Sequence, residues 1–129
     1  MIKTKSVYSP IKQTVGLRLL VTRFRGRGLE KKRYHVWMAN LGPSEKLLKA
    51  GQKGMEWNRI IRSYKEEILN SQSIDSKNKT IKNHGQKFTL RLIKELSKRQ
   101  NVTLMCHCDE DQKQCHRHIL KAIIQSREI

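Results

Sequence analysis

The residues best suited to chemistry in this sequence lie in one segment near its end, residues 105–120. The segment holds all three cysteines, Cys106, Cys108 and Cys115, and three of the five histidines. An apolar, strand-like run precedes it and a helical pattern of apolar residues follows. In α/β proteins, ligands and reactive groups usually lie where the carboxyl end of a strand faces a helix N-terminus. We therefore expect the functional site of this chain in that segment.

Thiol chemistry is the first hypothesis for this segment. Cys115 is expected at the start of the last helix, where the positive end of the helix dipole stabilises a thiolate. Arg117 adds positive charge to the same turn. Cys108 or Cys106 could serve as a resolving thiol or shape the site. The expected catalytic residues are therefore Cys115, Cys108 and Arg117, and no cofactor is needed for them.

Two other interpretations of the cysteines stay open. Cys106, Cys108, Cys115 and His118 supply four ligands of the types that hold a tetrahedral zinc ion, although the spacing is not that of a common zinc finger or ribbon. Alternatively, the cysteines are small core residues or form a disulfide, and the histidines have packing or surface roles.

A basic loop is the best candidate for binding phosphate. Arg23, Arg25 and Arg27 follow an apolar strand and alternate with Gly26 and Gly28. Glycines let the backbone approach a ligand closely, and guanidinium groups donate paired hydrogen bonds to phosphate oxygens. The loop matches neither a P-loop nor a dinucleotide-binding fingerprint. It is an anion-binding candidate, with an ordinary exposed basic loop as the alternative.

The net charge favours polyanionic partners. The chain of 129 residues has 28 Lys and Arg against 11 Asp and Glu, a formal charge of +17. Such a surface attracts nucleic acid or phosphorylated small molecules. The only aromatic residues close to the basic loop in sequence are Phe24, Tyr34 and Trp37, which argues against a base-reading platform of the RRM type.

Membrane insertion and secretion are not expected. The longest apolar run, Leu19–Val21, is far too short to cross a bilayer, and no secretory signal opens the sequence. An odd number of cysteines argues against a secreted disulfide framework. We expect a cytoplasmic location without a membrane partner.

The pattern of apolar residues predicts a single α/β domain over residues 1–129, with a small mixed sheet flanked by helices. Strands are predicted over residues 3–8, 16–24, 34–39 and 101–107. Helices are predicted over residues 45–50 with Ser44 as N-cap, and over 55–69, 86–99 and 115–126. Residues 71–84 are predicted to form a surface loop. The crossover through the two long helices should bring the last strand back parallel.

Helical spacing predicts which side chains face the core. In the second helix these are Trp57, Ile60, Ile61, Tyr64 and Ile68, and in the third they are Phe88, Leu92, Ile93 and Leu96. In the last helix, His116 is expected on the apolar face and His118 nearer to solvent.

Several blocks of this sequence resemble one family, and together they extend over most of the chain. The most specific is Val102-Thr103-Leu104-Met105-Cys106 combined with Cys115-His116-Arg117. The others are Lys5–Pro10, Gly16–Arg23 followed by Arg27-Gly28, Pro43-Ser44-x-x-Leu47, and Trp57 with Tyr64-Lys65-Glu66-Glu67. They are similar to the YeaO-like family, small proteins classed as a domain of unknown function.

The resemblance implies an α/β fold, and the family's cysteine motif implies an enzymatic function of unassigned reaction. This chain departs from the family pattern after the second strand, where the family usually has Asp-Arg-x-Trp-Pro-Arg-Gly. Thr22 replaces the aspartate, and Arg25-Gly26 replace the Trp-Pro pair. From the residues and the resemblance together, we expect a thiol-dependent enzyme acting on a phosphorylated or nucleic-acid-like anion. The alternative is a non-catalytic nucleic-acid-binding protein with structural or zinc-bound cysteines.

Overall fold

A computed structural model describes residues 1–70, 72–73, 82–83 and 85–129 of the chain. The strands are β1 (Ile2–Ser6), β2 (Leu17–Leu20), β3 (Val36–Trp37), β4 (Gln72–Ser73), β5 (Lys82–Asn83) and β6 (Val102–Cys106). The helices are α1 (Glu45–Gln52), α2 (Trp57–Leu69), α3 (Lys87–Ser97) and α4 (His116–Gln125). This arrangement confirms the predicted α/β class.

The main sheet has four strands in the order β1-β6-β2-β3, and all three pairings are parallel. It is therefore parallel where a mixed sheet was expected, because β6 inserts between β1 and β2 instead of leaving them to pair. The parallel return of the last strand is confirmed. Each of the five residues of β6 is buried, as expected for the central strand of a parallel sheet. The parallel order brings all four carboxyl ends to one edge.

One face of the sheet packs against the helices. Alternate strand residues such as Leu19, Val21 and Leu104 share a core with Tyr64 of α2 and Leu120 of α4. Tyr64 is fully buried, and its hydroxyl donates to the Leu41 carbonyl. Burial of this apolar surface is the main stabilising contribution to the fold.

The opposite face is covered by the chain around the basic loop. Leu20 and Met105, which alternate with the residues of the first face, pack with Val7 and Leu29. Tyr34 covers their edge. The basic loop therefore lies against the sheet and is tied to it by apolar contacts.

Most predicted elements are confirmed, although their ends differ by a few residues. The Ser44 hydroxyl accepts a hydrogen bond from the Leu47 amide at 3.1 Å, as its N-cap assignment requires. The second strand is shorter than predicted, since it ends at Leu20 and the chain then turns. Most of the predicted loop 71–84 lies outside the described residues. Within it, β4 and β5 pair antiparallel.

The predicted inner face of α3 is partly wrong. Ile93 is buried, but Phe88 and Leu92 are 60% and 63% exposed, and Leu90 is fully buried instead. Leu90 and Ile93 face the sheet and α4, so the helix is rotated relative to the prediction. Helical spacing allows either stripe of apolar residues, and only packing against the neighbouring elements decides between them. Among the described residues, no helix is long and apolar enough to cross a membrane.

Two leucines of α3 test this rotation. We expect Leu90→Ala to lower the free energy of unfolding by about 2–5 kcal/mol, because it leaves a cavity in the core. The matched change Leu92→Ala should alter it by less than about 0.5 kcal/mol, since that side chain is mostly exposed. Urea unfolding of both variants measures the difference, and equal losses would contradict the packing described here.

Candidate functional site

The three cysteines meet at the carboxyl edge of the sheet. Cys106 is the last residue of β6, Cys108 lies two residues further on, and Cys115 is the N-cap residue of α4. Their Sγ atoms all lie within 4.8 Å of one another, and those of Cys106 and Cys115 are 2.9 Å apart. Cys106 and Cys115 are buried, whereas Cys108 is partly exposed. The fold thus builds a cluster of three thiols with one member open to solvent.

Arg117 stabilises the turn after β6, which carries Cys108. It lies on the first turn of α4 and is 1% exposed. Its guanidinium donates to the carbonyl oxygens of Cys108, Asp109 and Glu110 at 3.2, 2.8 and 3.2 Å. It also donates to the Cys106 Sγ at 2.9 Å. The Nη donors of Arg117 therefore face the protein's own carbonyls and sulfur.

A second anchor fixes the same turn from the other side. The Glu110 carboxylate accepts hydrogen bonds from the Ser6 amide at 2.6 Å and from the Ser9 hydroxyl at 2.8 Å. The turn after β6 is therefore tied to the end of β1 as well as to α4. Cys108 lies on backbone that is held at both sides.

The contacts within the cluster separate the protonation states of the three thiols. Hydrogen bonds from Cys106 and then from Cys115 lower the pKa of Cys108 well below its ordinary value, and the positive charge of Arg117 lowers it further. The same contacts raise the pKa of Cys115, through Cys106 first. The pKa of Cys106 is raised mainly by its hydrogen bond with Cys108. Three neighbouring sulfurs cannot all ionise, and these pKa shifts favour ionisation of Cys108 over that of Cys106 and Cys115.

His116 lies beside the cluster in its neutral form. Burial is the main cause that lowers its pKa. Its Nε2 donates to the Val21 carbonyl at 2.5 Å, which leaves Nδ1 free of a proton and facing the Cys115 Sγ at 3.9 Å. The ring also packs edge-on against Tyr64. His116 is thus a fixed part of the wall, as its predicted place on the apolar face implied.

Two shallow cavities open beside Cys108. One, of about 170 Å³, lies towards α1 and α2 and is also lined by Cys115 and Trp57. The other, of about 180 Å³, lies towards the basic loop and is also lined by Arg23 and Phe24. Cys108, His116, Pro43 and Leu48 line both. Cys108 is the one cysteine that borders both cavities, so it is the thiol that a ligand in either would meet.

The basic loop uses two of its three arginines to hold its own shape. Arg23 donates to the carbonyl oxygens of Gly42 and Pro43 at 2.8 and 3.1 Å. Arg25 donates to the Tyr34 hydroxyl and to the Leu29 carbonyl, each at 2.5 Å. Arg27 is exposed. Anion binding stays a prediction for all three, with Arg27 pointing to solvent and Arg23 on the wall of the cavity beside Cys108.

His118, the fourth predicted zinc ligand, is not brought to the cluster. Its Nε2 pairs with the Gln112 carbonyl oxygen at 3.0 Å, and the group of potential metal ligands found among the described residues is Cys106, Cys108 and Cys115 alone. Three sulfurs are suitable ligands for a soft ion such as zinc, and a fourth position would then be taken by water or substrate.

Several residues that shape the site could not be assigned to it from the sequence. Pro43 and Leu48 form part of the wall shared by the two cavities, and neither side chain is reactive. Pro43 stands out in the sequence only as part of the block Pro43-Ser44-x-x-Leu47 that carries the family resemblance. The anchoring role of Glu110 was equally hidden, since its partners Ser6 and Ser9 lie about a hundred residues away in the chain. Only the pairing of β1 with β6 brings these segments together.

The anchoring role of the buried Arg117 guanidinium can be tested by measuring the free energy of unfolding of variants. We expect Arg117→Lys to lower the free energy of unfolding by at least about 2 kcal/mol, because an ammonium cannot satisfy three carbonyls and a sulfur in this geometry. The control Arg127→Lys, at an exposed position of the same chain end, should change it by less than about 0.5 kcal/mol. Denaturant unfolding measures both, and a tolerant Arg117→Lys variant would contradict the anchoring role.

Comparison with known proteins gives one match. The sequence model of a domain family described as "DUF488-N3a: Active DUF488-N3 subclade" matches residues 2–128. No curated protein and no solved structure matches the chain. The match extends over both the cysteine cluster and the basic loop, and so takes in every part of the site described above. The chain belongs to the DUF488-N3a family, an uncharacterised domain family.

Proposed function

We propose that this protein is a thiol-dependent enzyme in which Cys108 is the reactive thiolate. The observation that carries the proposal is the position of Cys108, the one partly exposed member of the cluster and the one that borders both cavities. A thiolate is a far better nucleophile than a thiol at neutral pH. The family description, which speaks of an active subclade, supports an enzymatic role.

The other site residues have supporting roles in this proposal. Cys106 and Cys115 keep their protons, and their thiols lie close enough to the Cys108 thiolate to stabilise it. Arg117 is a positioning residue: it holds the turn of Cys108 and adds a positive charge nearby. Cys115, which the sequence favoured as the nucleophile, is 3% exposed and bound to Cys106. It suits a donor or a resolving thiol better than the attacking one.

The proposed substrate is a phosphorylated or nucleic-acid-like anion. Arg23 lines the cavity beside Cys108, and Arg27 extends into solvent from the loop above it. The formal charge of +17 raises the local concentration of any anion at the surface. The YeaO-like resemblance, with its cysteine motif, agrees with this proposal. A cytoplasmic location is part of the proposal too, since three free thiols need reducing surroundings.

The pH dependence of alkylation tests the reactive thiol. Because the pKa of Cys108 is lowered, its thiolate is present well below pH 8, and the alkylation rate of one thiol should stay nearly constant from about pH 8 to pH 6. A free thiol with a pKa of about 8.5 would instead slow roughly tenfold per pH unit over that range.

Cysteine variants assign the reactive group. Cys108→Ser should remove the fast alkylation at pH 6 completely. Cys115→Ala should retain a reactive Cys108 but shift its profile to higher pH, because one neighbouring thiol that stabilises the thiolate is removed. Fast alkylation that survives Cys108→Ser, or a rate that falls in proportion to hydroxide in the unmodified protein, would refute the proposal.

A zinc-bound, non-catalytic nucleic-acid-binding protein is the second candidate, favoured by the three sulfurs within 4.8 Å. If zinc were bound, Cys106, Cys108 and Cys115 would hold it, and the ion would fix the turn after β6. Tetrahedral zinc with sulfur at about 2.3 Å separates its sulfurs by about 3.8 Å. The 2.9 Å between Cys106 and Cys115 is shorter than this separation, so zinc binding would require these two sulfurs to move apart.

Metal analysis separates the two candidates. We expect protein purified without added zinc to contain well below one zinc per chain, and a chelator to leave its unfolding temperature unchanged. One tightly held zinc per chain that is lost in Cys108→Ser, together with a lower unfolding temperature after chelation, would favour the zinc-bound candidate instead.

A further inference from the structure

Aromatic rings lie at the carboxyl ends of all four strands of the main sheet; those of Tyr8, Phe24 and Trp37 are exposed, and that of His107 is half-buried. Tyr8 follows β1, His107 follows β6, Phe24 follows β2, and Trp37 is the last residue of β3. In the order of the strands, β1-β6-β2-β3, the row therefore reads Tyr8, His107, Phe24 and Trp37. We call these four residues the aromatic row.

The aromatic row holds most of the exposed Phe, Tyr and Trp side chains among the described residues. Tyr8, Phe24 and Trp37 are 56%, 57% and 42% exposed. The other mostly exposed aromatic side chain in the described part of the protein is Phe88 on α3. An exposed apolar patch of this kind, with polar surroundings, usually marks a binding surface.

Hydrogen bonds hold the row in place. The Tyr8 hydroxyl lies 3.2 Å from the His107 Nδ1, and the two rings are 5.9 Å apart. The His107 Nε2 pairs with the Phe24 carbonyl oxygen at 3.2 Å, and the Trp37 indole donates to the Thr22 carbonyl at 2.8 Å. The Tyr8, His107 and Trp37 rings are thus oriented before any ligand arrives, which reduces the entropy lost on binding. At Phe24 it is the backbone carbonyl that is held.

A glycine behind the aromatic row leaves room for the His107 ring. This residue, Gly26 in the basic loop, has a φ of +89° and packs against that ring. A Cβ at that position would lie 2.9 Å from His107 Cε1. Any larger residue at Gly26 would therefore push His107 out of the row as well as strain the loop.

We propose that the aromatic row binds single-stranded nucleic acid by stacking its unpaired bases, with the strand leading past Cys108. The inference rests on the proposed function and names its substrate class. Aromatic rings stack on any exposed base, whereas the bases of a duplex are already stacked on each other. A row of four rings along one edge matches the path of a strand better than it matches a single small molecule.

Charge along the row fits the phosphate backbone of such a strand. Phe24 lies between Arg23 and Arg25 in the chain, and Arg27 and Lys31 are exposed on the same segment. The acidic side chain nearest to Tyr8, Glu110, is already bound to Ser6 and Ser9. We therefore place the backbone on the side of the basic loop.

The row also reaches the thiolate. Phe24 and His107 line the same cavity as Cys106 and Cys108. A base stacked on Phe24 would lie beside the opening to Cys108, so the row presents one nucleotide at a time to the reactive group.

Binding of labelled oligonucleotides tests the inference. The probe is a single strand of about fifteen nucleotides, compared with a duplex of the same sequence, by fluorescence anisotropy at fixed salt. We expect tighter binding of the single strand. Phe24→Ala should weaken it by about tenfold, since stacking of one base contributes about 1–3 kcal/mol. Tyr8→Ala, a second variant at the far end of the row, should also weaken it.

One further variant separates the possible outcomes. Phe88→Ala removes an exposed phenylalanine away from the row and should leave affinity unchanged. If the alkylation test fails while binding is intact, the proposed catalytic role of Cys108 is refuted and the base-binding surface is not. Equal affinity for single strand and duplex, or no loss in both Phe24→Ala and Tyr8→Ala, would overturn the aromatic row as a base-binding surface and leave binding by charge only.

Discussion

The burial of one guanidinium is the constraint on which the site depends. Arg117 is a permanent cation with 1% of its surface exposed, and a buried charge is costly unless it is surrounded by acceptors or opposite charge. Three carbonyl oxygens and a sulfur surround its Nη atoms, and its Nε has no hydrogen-bond partner among the protein atoms of the described residues. The Cys108 thiolate that we propose would offset the same cost. In this proposal the cation and the thiolate stabilise each other.

Strand order explains why this pair forms where a ligand can reach it. Since β6 is central, the turn that follows it has β1 on one side and β2 on the other. The β1 side supplies the Ser6 and Ser9 donors that anchor the turn. The β2 side supplies the basic loop and the cavity that Phe24 borders. The N-terminus of α4 and Leu48 of α1 line the rest of this region, and Cys108 lies at the opening between them.

The sequence was sufficient for features that depend on local pattern. Ser44 was identified as an N-cap, Tyr64 and Ile68 as core residues, and the segment from Cys106 to Cys115 as a strand–helix junction, all by spacing and residue type. Features that depend on packing between elements could not be predicted from local pattern. The rotation of α3, which exposes Phe88 and Leu92, depends on which of two apolar stripes meets the sheet.

The site itself was predictable only in outline. Sequence placed three cysteines and Arg117 together, but which sulfur ionises depends on separations of a few ångströms and on which thiol stays open to solvent. Anion binding by Arg23 and Arg25 stays a prediction, and the sequence did not reveal that their donors also meet carbonyl and hydroxyl oxygens of neighbouring loops. Tyr8 and Phe24 lie far apart in the chain and become neighbours of His107 only because β6 lies between β1 and β2.

Peptide mapping after brief alkylation is the most direct test of the central claim, that the cluster holds a single thiolate on Cys108. The reduced protein is treated at pH 6 with less than one equivalent of reagent, digested, and the labelled cysteine identified by mass spectrometry. The account predicts label on Cys108 almost exclusively, with Cys106 and Cys115 unmodified. Label mainly on Cys115, or spread evenly over the three cysteines, would contradict it.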